Sequence, residues 1–227
     1  MLFVNLAEKQ TIKNLSNCSV SMNHLIIALK KKFLKLKLIG FFRFLRCCAD
    51  RQWLGLLARY FKFDPWHASA PYSCRTYKQT VVDLVNSLSP HTVVEIGCGL
   101  GELLCRIHAP RRYGYDVDQG VIRAARFLHG SKISFIHGDA AKVEQESIDV
   151  LILVNWIHNQ SPAELGGLLN PLLVKANYLV LDAIDPDGPA SYRYKHDFAF
   201  LEGKAELLSV TRPLDEPRSF HLFRVSR

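Results

Sequence analysis

The sequence has 227 residues, 48% of them hydrophobic, enough for one full α/β domain with a short appendage and too few for two ordinary enzymes. Its formal charge of +8 suggests nucleic acid until it is divided along the chain: residues 1–63 hold twelve Lys/Arg against two Asp/Glu, and residues 64–227 hold seventeen against nineteen. The body therefore lacks the basic stripe of a nucleic-acid-binding domain, and the charge belongs to an N-terminal extension.

The first 21 residues lack the basic start and long apolar run of a secretory signal. Cys18, Cys47, Cys48, Cys74, Cys98 and Cys105 show neither C-x-x-C spacing nor the density of a secreted disulfide scaffold, so reduced thiols and a cytoplasmic setting are expected. Residues 24–48 (LIIALKKKFLKLKLIGFFRFLRCC) are apolar but broken by Lys/Arg every few positions, which excludes a spanning helix. Helical spacing puts Lys31, Lys32, Lys35, Arg43 and Arg46 on one face, while Lys30 and Lys37 fall off it. Such a basic amphipathic helix packs its apolar face on the body or a partner, or lies in an anionic membrane surface, which would place the protein at the inner face of a membrane. The boundary between this extension (1–63) and the main domain (64–227) falls before the irregular stretch DPWHASAPYS.

From there short apolar runs alternate with helical ones. TYKQTVVDLVNSL (76–88) has apolar residues at helical spacing and is stopped by Ser89-Pro90. Then follow TVVEIG (92–97), helical GELLCRIH (101–108), RYGYDV (112–117), helical QGVIRAARFLHG (119–130), KISFIHGD (132–139), IDVLILVN (148–155), helical PAELGGLLNPLLV (162–174) and NYLVLDAI (177–184). Strands this short and apolar are buried on both faces, and helices between them imply right-handed crossovers and a parallel, doubly wound sheet. KAELLSVTRPL (204–214) and SFHLFRVSR (219–227), joined by the turn DEPR, read as an antiparallel hairpin closing a mostly parallel seven-stranded sheet.

VVEIGCGLGELL (93–104) carries the chemistry. A strand running into Gly97, Gly99 and Gly101 suits a nucleotide, because glycine permits tight turning and close approach to backbone N–H groups. Glu102 breaks the G-x-G-x-x-G dinucleotide spacing, and no Gly-Lys-Ser/Thr follows for a P-loop. With Glu95 two positions before the first glycine, the stretch resembles the first motif of class I S-adenosylmethionine-dependent methyltransferases, and the resemblance extends over residues 74–227.

That resemblance implies a Rossmann-like fold and S-adenosylmethionine as cofactor, with S-adenosylhomocysteine as product. Glu95, Gly97, Cys98, Gly99 and Gly101 would form the loop under its cationic amino acid end, with no catalytic role for the Cys98 thiol. Asp116, followed by Val117, would accept the ribose hydroxyls; Asp118 competes but occupies a helix N-cap position. Asp139 and Ala140 would take the adenine. Asn155 would orient the cofactor, and Trp156 would offer a π face to a cation.

Methyl transfer is governed by placement, and a base is needed only where the acceptor carries a poorly acidic proton. His158, in the loop after the fourth strand, is the candidate base, or else an imidazole capping the backbone beside Trp156. Tyr192, Tyr194 and His196 are candidates for a substrate pocket, while HDFAFL reads equally as a core helix. Asp182, Asp185 and Asp187 suggest a cation, but Asn155 stands where a metal-assisted enzyme has a carboxylate, so no metal is expected. The Asn-Pro-Pro-Tyr type loop of amino-methylating nucleic-acid enzymes and the Pro-Cys nucleophile of cytosine methylation are absent. The expectation is a methyltransferase acting on oxygen of a small molecule or of a lipid- or saccharide-linked acceptor; the competing reading is a non-catalytic cofactor-binding scaffold or sensor.

Overall fold

The computed structural model describes residues 40–69, 71–186, 188, 192–213 and 216–226. Met1–Leu45 and Arg46–Arg227 form separate compact units. Of the first, only residues 40–45 are described, and most of the expected basic helix (24–39) lies outside the described residues. A helix, α1, runs over Phe41–Phe61. It continues past Cys48, where the sequence reading ended it, because Leu54, Leu57 and Ala58 recur at helical spacing and bury together against the body. Among the described residues no helix is long and apolar enough to cross a membrane.

Cys47 and Cys74 are joined in a disulfide, which corrects the expectation of six reduced thiols; Cys48, Cys98 and Cys105 are free. No spacing rule betrays this pair, because it depends on α1 folding back beside the 3₁₀ turn at Tyr72–Cys74. The stretch after α1 forms a short helix, α2 (Trp66–Ser69), and then α3 (Thr76–Asn86).

The sheet contains β1 (Thr92–Ile96), β2 (Arg111–Asp116), β3 (Ser134–His137), β4 (Ile148–Leu153), β5 (Ala176–Ile184), β6 (Ala205–Thr211) and β7 (Arg218–Val225), in the order β3-β2-β1-β4-β5-β7-β6. β1 to β5 are parallel, and β7 lies antiparallel between β5 and β6, as the terminal hairpin predicts. Alternation along the strands sorts the core. Val93, Val150, Ile152 and Val180 face one side with α1, α3 and α4 (Gln119–His129), while Val94, Ile96, Leu151, Leu153, Leu179 and Leu181 face the other with α5 (Pro162–Leu173).

Residues 101–108 depart from the expected helix. They make one α-type turn, with Cys105 N–H on the Gly101 carbonyl, and a 3₁₀ turn at Leu104–Arg106. Pro110 and the start of β2 leave no length for more.

The helix starts are built by capping. Asp118 accepts the N–H groups of Gly120 and Val121 at the start of α4, and Ser161 with Glu164 forms a reciprocal capping box on α5. Ser161→Ala removes the acceptor for the Glu164 N–H and should cost about 0.5–2 kcal/mol. Urea unfolding should report that loss without a change in cofactor-product affinity, since Ser161 lies outside the cavity described next.

Candidate functional site

Strand order reverses between β1 and β4, and open α/β sheets hold ligands in the crevice at such a point, beyond the carboxyl ends of the strands. A cavity of about 610 Å³ occupies this place. Its floor is the turn after β1, where Gly97, Gly99 and Gly101 have φ of +72°, +53° and +71°, a region open to glycine at no steric cost. A Cβ on Gly97 would stand 2.3 Å from the Trp156 ring, and one on Gly99 would stand 3.1 Å from the His67 ring. The N–H groups of Gly97 and Cys98 bind the Tyr115 carbonyl, and that of Gly99 binds Asp116 Oδ2 at 2.8 Å.

Of the residues the sequence singled out, Glu95, Gly97, Cys98, Gly99, Asp116, Val117, Asp139, Ala140, Asn155 and Trp156 line the cavity. Gly101 does not: a Cβ there would meet Phe135 at 2.4 Å, so its role is to let the loop pack on β3. Asp118 is the α4 N-cap and also lines the cavity.

Glu95 is buried, and its Oε2 has no hydrogen-bond partner. Burial pushes its carboxyl well above the usual range, with Lys78 pulling it down and Asp116 and Glu102 pushing it further up. A buried acceptor left open at the wall of a cavity is a place for a donor from a ligand. Burial likewise raises the Cys98 thiol, which is therefore a poor nucleophile.

The loop after β4 is held from behind. Asn155 adopts φ of +79°. Its N–H donates to Asp182 Oδ1 at 2.9 Å, and its Oδ1 accepts from Arg218 at 3.2 Å. Asp182, fully buried on β5, also accepts from Arg218 and from His158 Nε2, each at 3.0 Å. Burial works against the Arg218 charge, but Asp182, Tyr77, Tyr192 and Glu216 outweigh it and hold its pKa up. Trp156 donates from Nε1 to the Ile96 carbonyl at 2.6 Å, which lays its ring over Gly97.

This arrangement corrects two sequence expectations. His158 is fully buried, bonded to Asp182, and does not line the cavity; its place is behind the loop. Tyr192, Tyr194 and His196 do not line the cavity either. The Tyr192 hydroxyl accepts from Arg218 at 2.8 Å, Tyr194 N–H donates to the His158 carbonyl, and His196 is buried on the Ile157 carbonyl. These residues back the loop because its bent carbonyls need partners. Asp185 is paired with Arg212; Asp187 lies outside the described residues. Among the described residues no cluster of His, Cys, Asp and Glu is arranged to hold a metal.

The sequence reading missed Asp64, Trp66, His67, Tyr77, Lys78 and Gln160, all of which line the cavity. Tyr77 and Lys78 start α3, and Lys78 is paired with Glu102, whose other oxygen accepts the Tyr72 N–H. Burial lowers the His67 imidazole against the opposing pull of Asp116, Asp118 and Asp64, so a neutral ring covers Gly99.

The fold and the cavity thus define a doubly wound protein with an acidic cavity at the point where strand order reverses. Residues 94–169 match the model of a methyltransferase domain. Among solved structures, the chain is similar to the N-methyltransferase NodS from Bradyrhizobium japonicum WM9 in complex with S-adenosyl-L-homocysteine, at 18% identity over 75% of this chain and 97% of that one, with a TM-score of 0.61. It is similar to the magnesium protoporphyrin IX methyltransferase ChlM from Synechocystis PCC 6803 with bound S-adenosylmethionine, at 18% identity over 75% and 90%, with a TM-score of 0.53. It also resembles the mitomycin 7-O-methyltransferase MmcR, at 15% identity over 75% and 60%, with a TM-score of 0.58. No curated protein sequence matches the chain. The match to a methyltransferase domain thus covers residues 94–169, and the solved structures share the fold of the sheet.

Asp182 is the keystone of the loop behind this cavity. Asp182→Ala would leave Arg218, His158 and the Asn155 N–H without their buried acceptor, and a broken buried pair costs about 3–5 kcal/mol. Urea unfolding at neutral pH should show a loss of that size.

Proposed function

We propose that the protein is an S-adenosylmethionine-dependent methyltransferase acting on oxygen of a small molecule or of a lipid- or saccharide-linked acceptor. The observation that carries the reading is Glu95: a buried carboxylate with an unpartnered oxygen, lining a cavity floored by a left-handed glycine turn. An ammonium group is the complement that such an oxygen lacks, and the amino acid end of the cofactor supplies one. Asp116 keeps acceptor capacity beyond its bonds to the Gly99 and Asp118 N–H groups and suits paired hydroxyls. Asp139 and Ala140, at the end of β3, would take the base.

When bound, the cofactor supplies an electrophilic methyl group on a sulfonium. The protein's part is to bind, orient and exclude water. Trp156 and Asn155 are fixed by Ile96, Asp182 and Arg218 and so form a rigid wall. Holding reactants in line is worth up to about 7–11 kcal/mol, which makes placement the main source of rate. His158 acts by holding the β4–α5 loop. The choice of acceptor class rests on the body's lack of positive charge and on the sequence Asn155-Trp156-Ile157-His158, where an amino-methylating nucleic-acid enzyme carries Asn-Pro-Pro-Tyr.

Two measurements test this. A carboxyl whose pKa is raised by folding stabilises the fold below its unfolded pKa, and that contribution is lost as pH rises through the folded value. The cofactor-free protein should therefore lose stability as pH rises from the ordinary glutamate range through the raised Glu95 value, and Glu95→Gln should flatten that slope while weakening S-adenosylhomocysteine at least about tenfold, or 1.4 kcal/mol. Undiminished affinity by calorimetry would remove Glu95 from the site. For the acceptor, incubation of the protein with methyl-labelled cofactor and fractionated cell extract should put label in lipid, saccharide or small-molecule fractions; label in RNA or protein would overturn the assignment.

A further inference from the structure

α1 has two apolar faces where a surface helix ordinarily has one. Cys47, Leu54, Leu57 and Ala58 are buried, and the helix is tied down by the Cys47–Cys74 bridge and by Arg123 on the Phe61 carbonyl. Trp53, Leu56 and Tyr60, at i, i+3 and i+7, project the other way and are 49%, 57% and 78% exposed. Trp66, a few residues on, is 50% exposed. Aligned aromatic residues with polar ends are the composition that settles at the boundary between water and lipid.

Charge identifies the surface they fit. Arg46, Arg51, Arg59 and Lys62 on the same segment are exposed, and Asp50 pairs with Arg46. The whole segment 1–63 holds twelve basic residues against two acidic ones, while the rest of the chain is slightly acidic. An apolar stripe on a cationic segment is complementary to anionic phospholipid, whose headgroups attract the basic side chains while the rings enter the acyl boundary.

The segment that follows α1 leads to the cavity. The Phe61 and Lys62 carbonyls lie against Gly120 at the start of α4, and the Asp64 N–H donates to Asp118 Oδ2 at 3.2 Å. Asp64, Trp66 and Val117 all line the cavity, and Val117 is 70% exposed. The chain that leaves α1 therefore reaches the cavity rim within a few residues, at Asp64 and Trp66.

We propose that α1 seats the protein on an anionic lipid surface through Trp53, Leu56 and Tyr60, and that the methyl acceptor is an amphiphile that passes from that surface over Trp66 into the cavity. The acceptor half rests on the methyltransferase reading above; the docking half stands without it.

The test uses the full chain and a triple variant, Trp53→Ser, Leu56→Ser, Tyr60→Ser, none of which lines the cavity. The wild type should co-sediment with vesicles of phosphatidylcholine containing about 30% phosphatidylserine and not with phosphatidylcholine alone. The triple variant should lose that binding at least tenfold while keeping wild-type affinity for S-adenosylhomocysteine, which shows it folded. With cell lipid extract incorporated in the same vesicles, the wild type should place label from methyl-labelled cofactor in the solvent-extractable fraction, and the triple variant should place at least tenfold less.

Equal sedimentation of the two proteins, or indifference of the wild type to phosphatidylserine, overturns the docking claim. A change in sedimentation velocity confined to the variant, without vesicle binding by the wild type, overturns it in favour of a second copy on the stripe. Label only in the water-soluble fraction overturns the amphiphile. Absence of any heat with S-adenosylhomocysteine strikes the methyltransferase reading and leaves the vesicle result to stand or fall by itself.

Discussion

A carboxylate with no contact with water must be matched by donors, and Asp182 is matched by three: the Asn155 N–H, Arg218 and His158. Through them it joins β5, β7 and the loop after β4, the three elements that meet behind the cavity. The left-handed backbone at Asn155 is held because its N–H and its side-chain oxygen are both engaged by this set. Glu216 extends the charge pairing outward, reaching Arg218 on one side and Arg75 on the other. The antiparallel β7 has a purpose in this light: it delivers the guanidinium of Arg218 to a buried acid whose other two donors come from the loop after β4.

Glu95 is the opposite case. Both carboxylates are buried near strand ends, yet Asp182 is saturated by the protein while an oxygen of Glu95 is left without a partner. The difference separates scaffold from site. A fold tolerates few unmet polar atoms, and one placed at the wall of a cavity, beside a turn that only glycine can make without strain, is accounted for by a ligand. The two histidines divide by place: His158 is bonded through Nε2 to Asp182 behind the loop, while His67 lies over the glycine turn at the cavity.

Much of this was legible in the sequence, for local reasons. Strands buried on both faces read as short apolar runs, so β1 to β5 and the closing hairpin fell where periodicity placed them. Glu95, Asp116 and Asp139 were named through the family resemblance, and all three line the cavity at or just beyond the carboxyl ends of β1, β2 and β3. The contacts that escaped are those made across long chain distances. Arg218 stands 63 residues from Asn155, and nothing near either announces the other. Trp66 and His67 sit in a stretch too short and irregular to carry a period. His158, Tyr192, Tyr194 and His196 have the chemistry of a site, but sequence does not say on which side of a loop a ring lies; here backbone carbonyls and Asp182 claimed them. The outward stripe of α1 was hidden because a helix with two apolar faces shows no single direction.

The disulfide ties these parts to the surroundings of the protein. Cys47 and Cys74 are 27 residues apart, and the interval between them contains the rest of α1 together with Trp66 and His67. Closing an interval of that length restricts the denatured chain by roughly 3–4 kcal/mol on a chain-entropy estimate, and glutathione in a cytosol keeps such pairs open. Trp53, Leu56 and Tyr60 on α1 and Trp66 and His67 at the cavity therefore lie within one covalently closed loop.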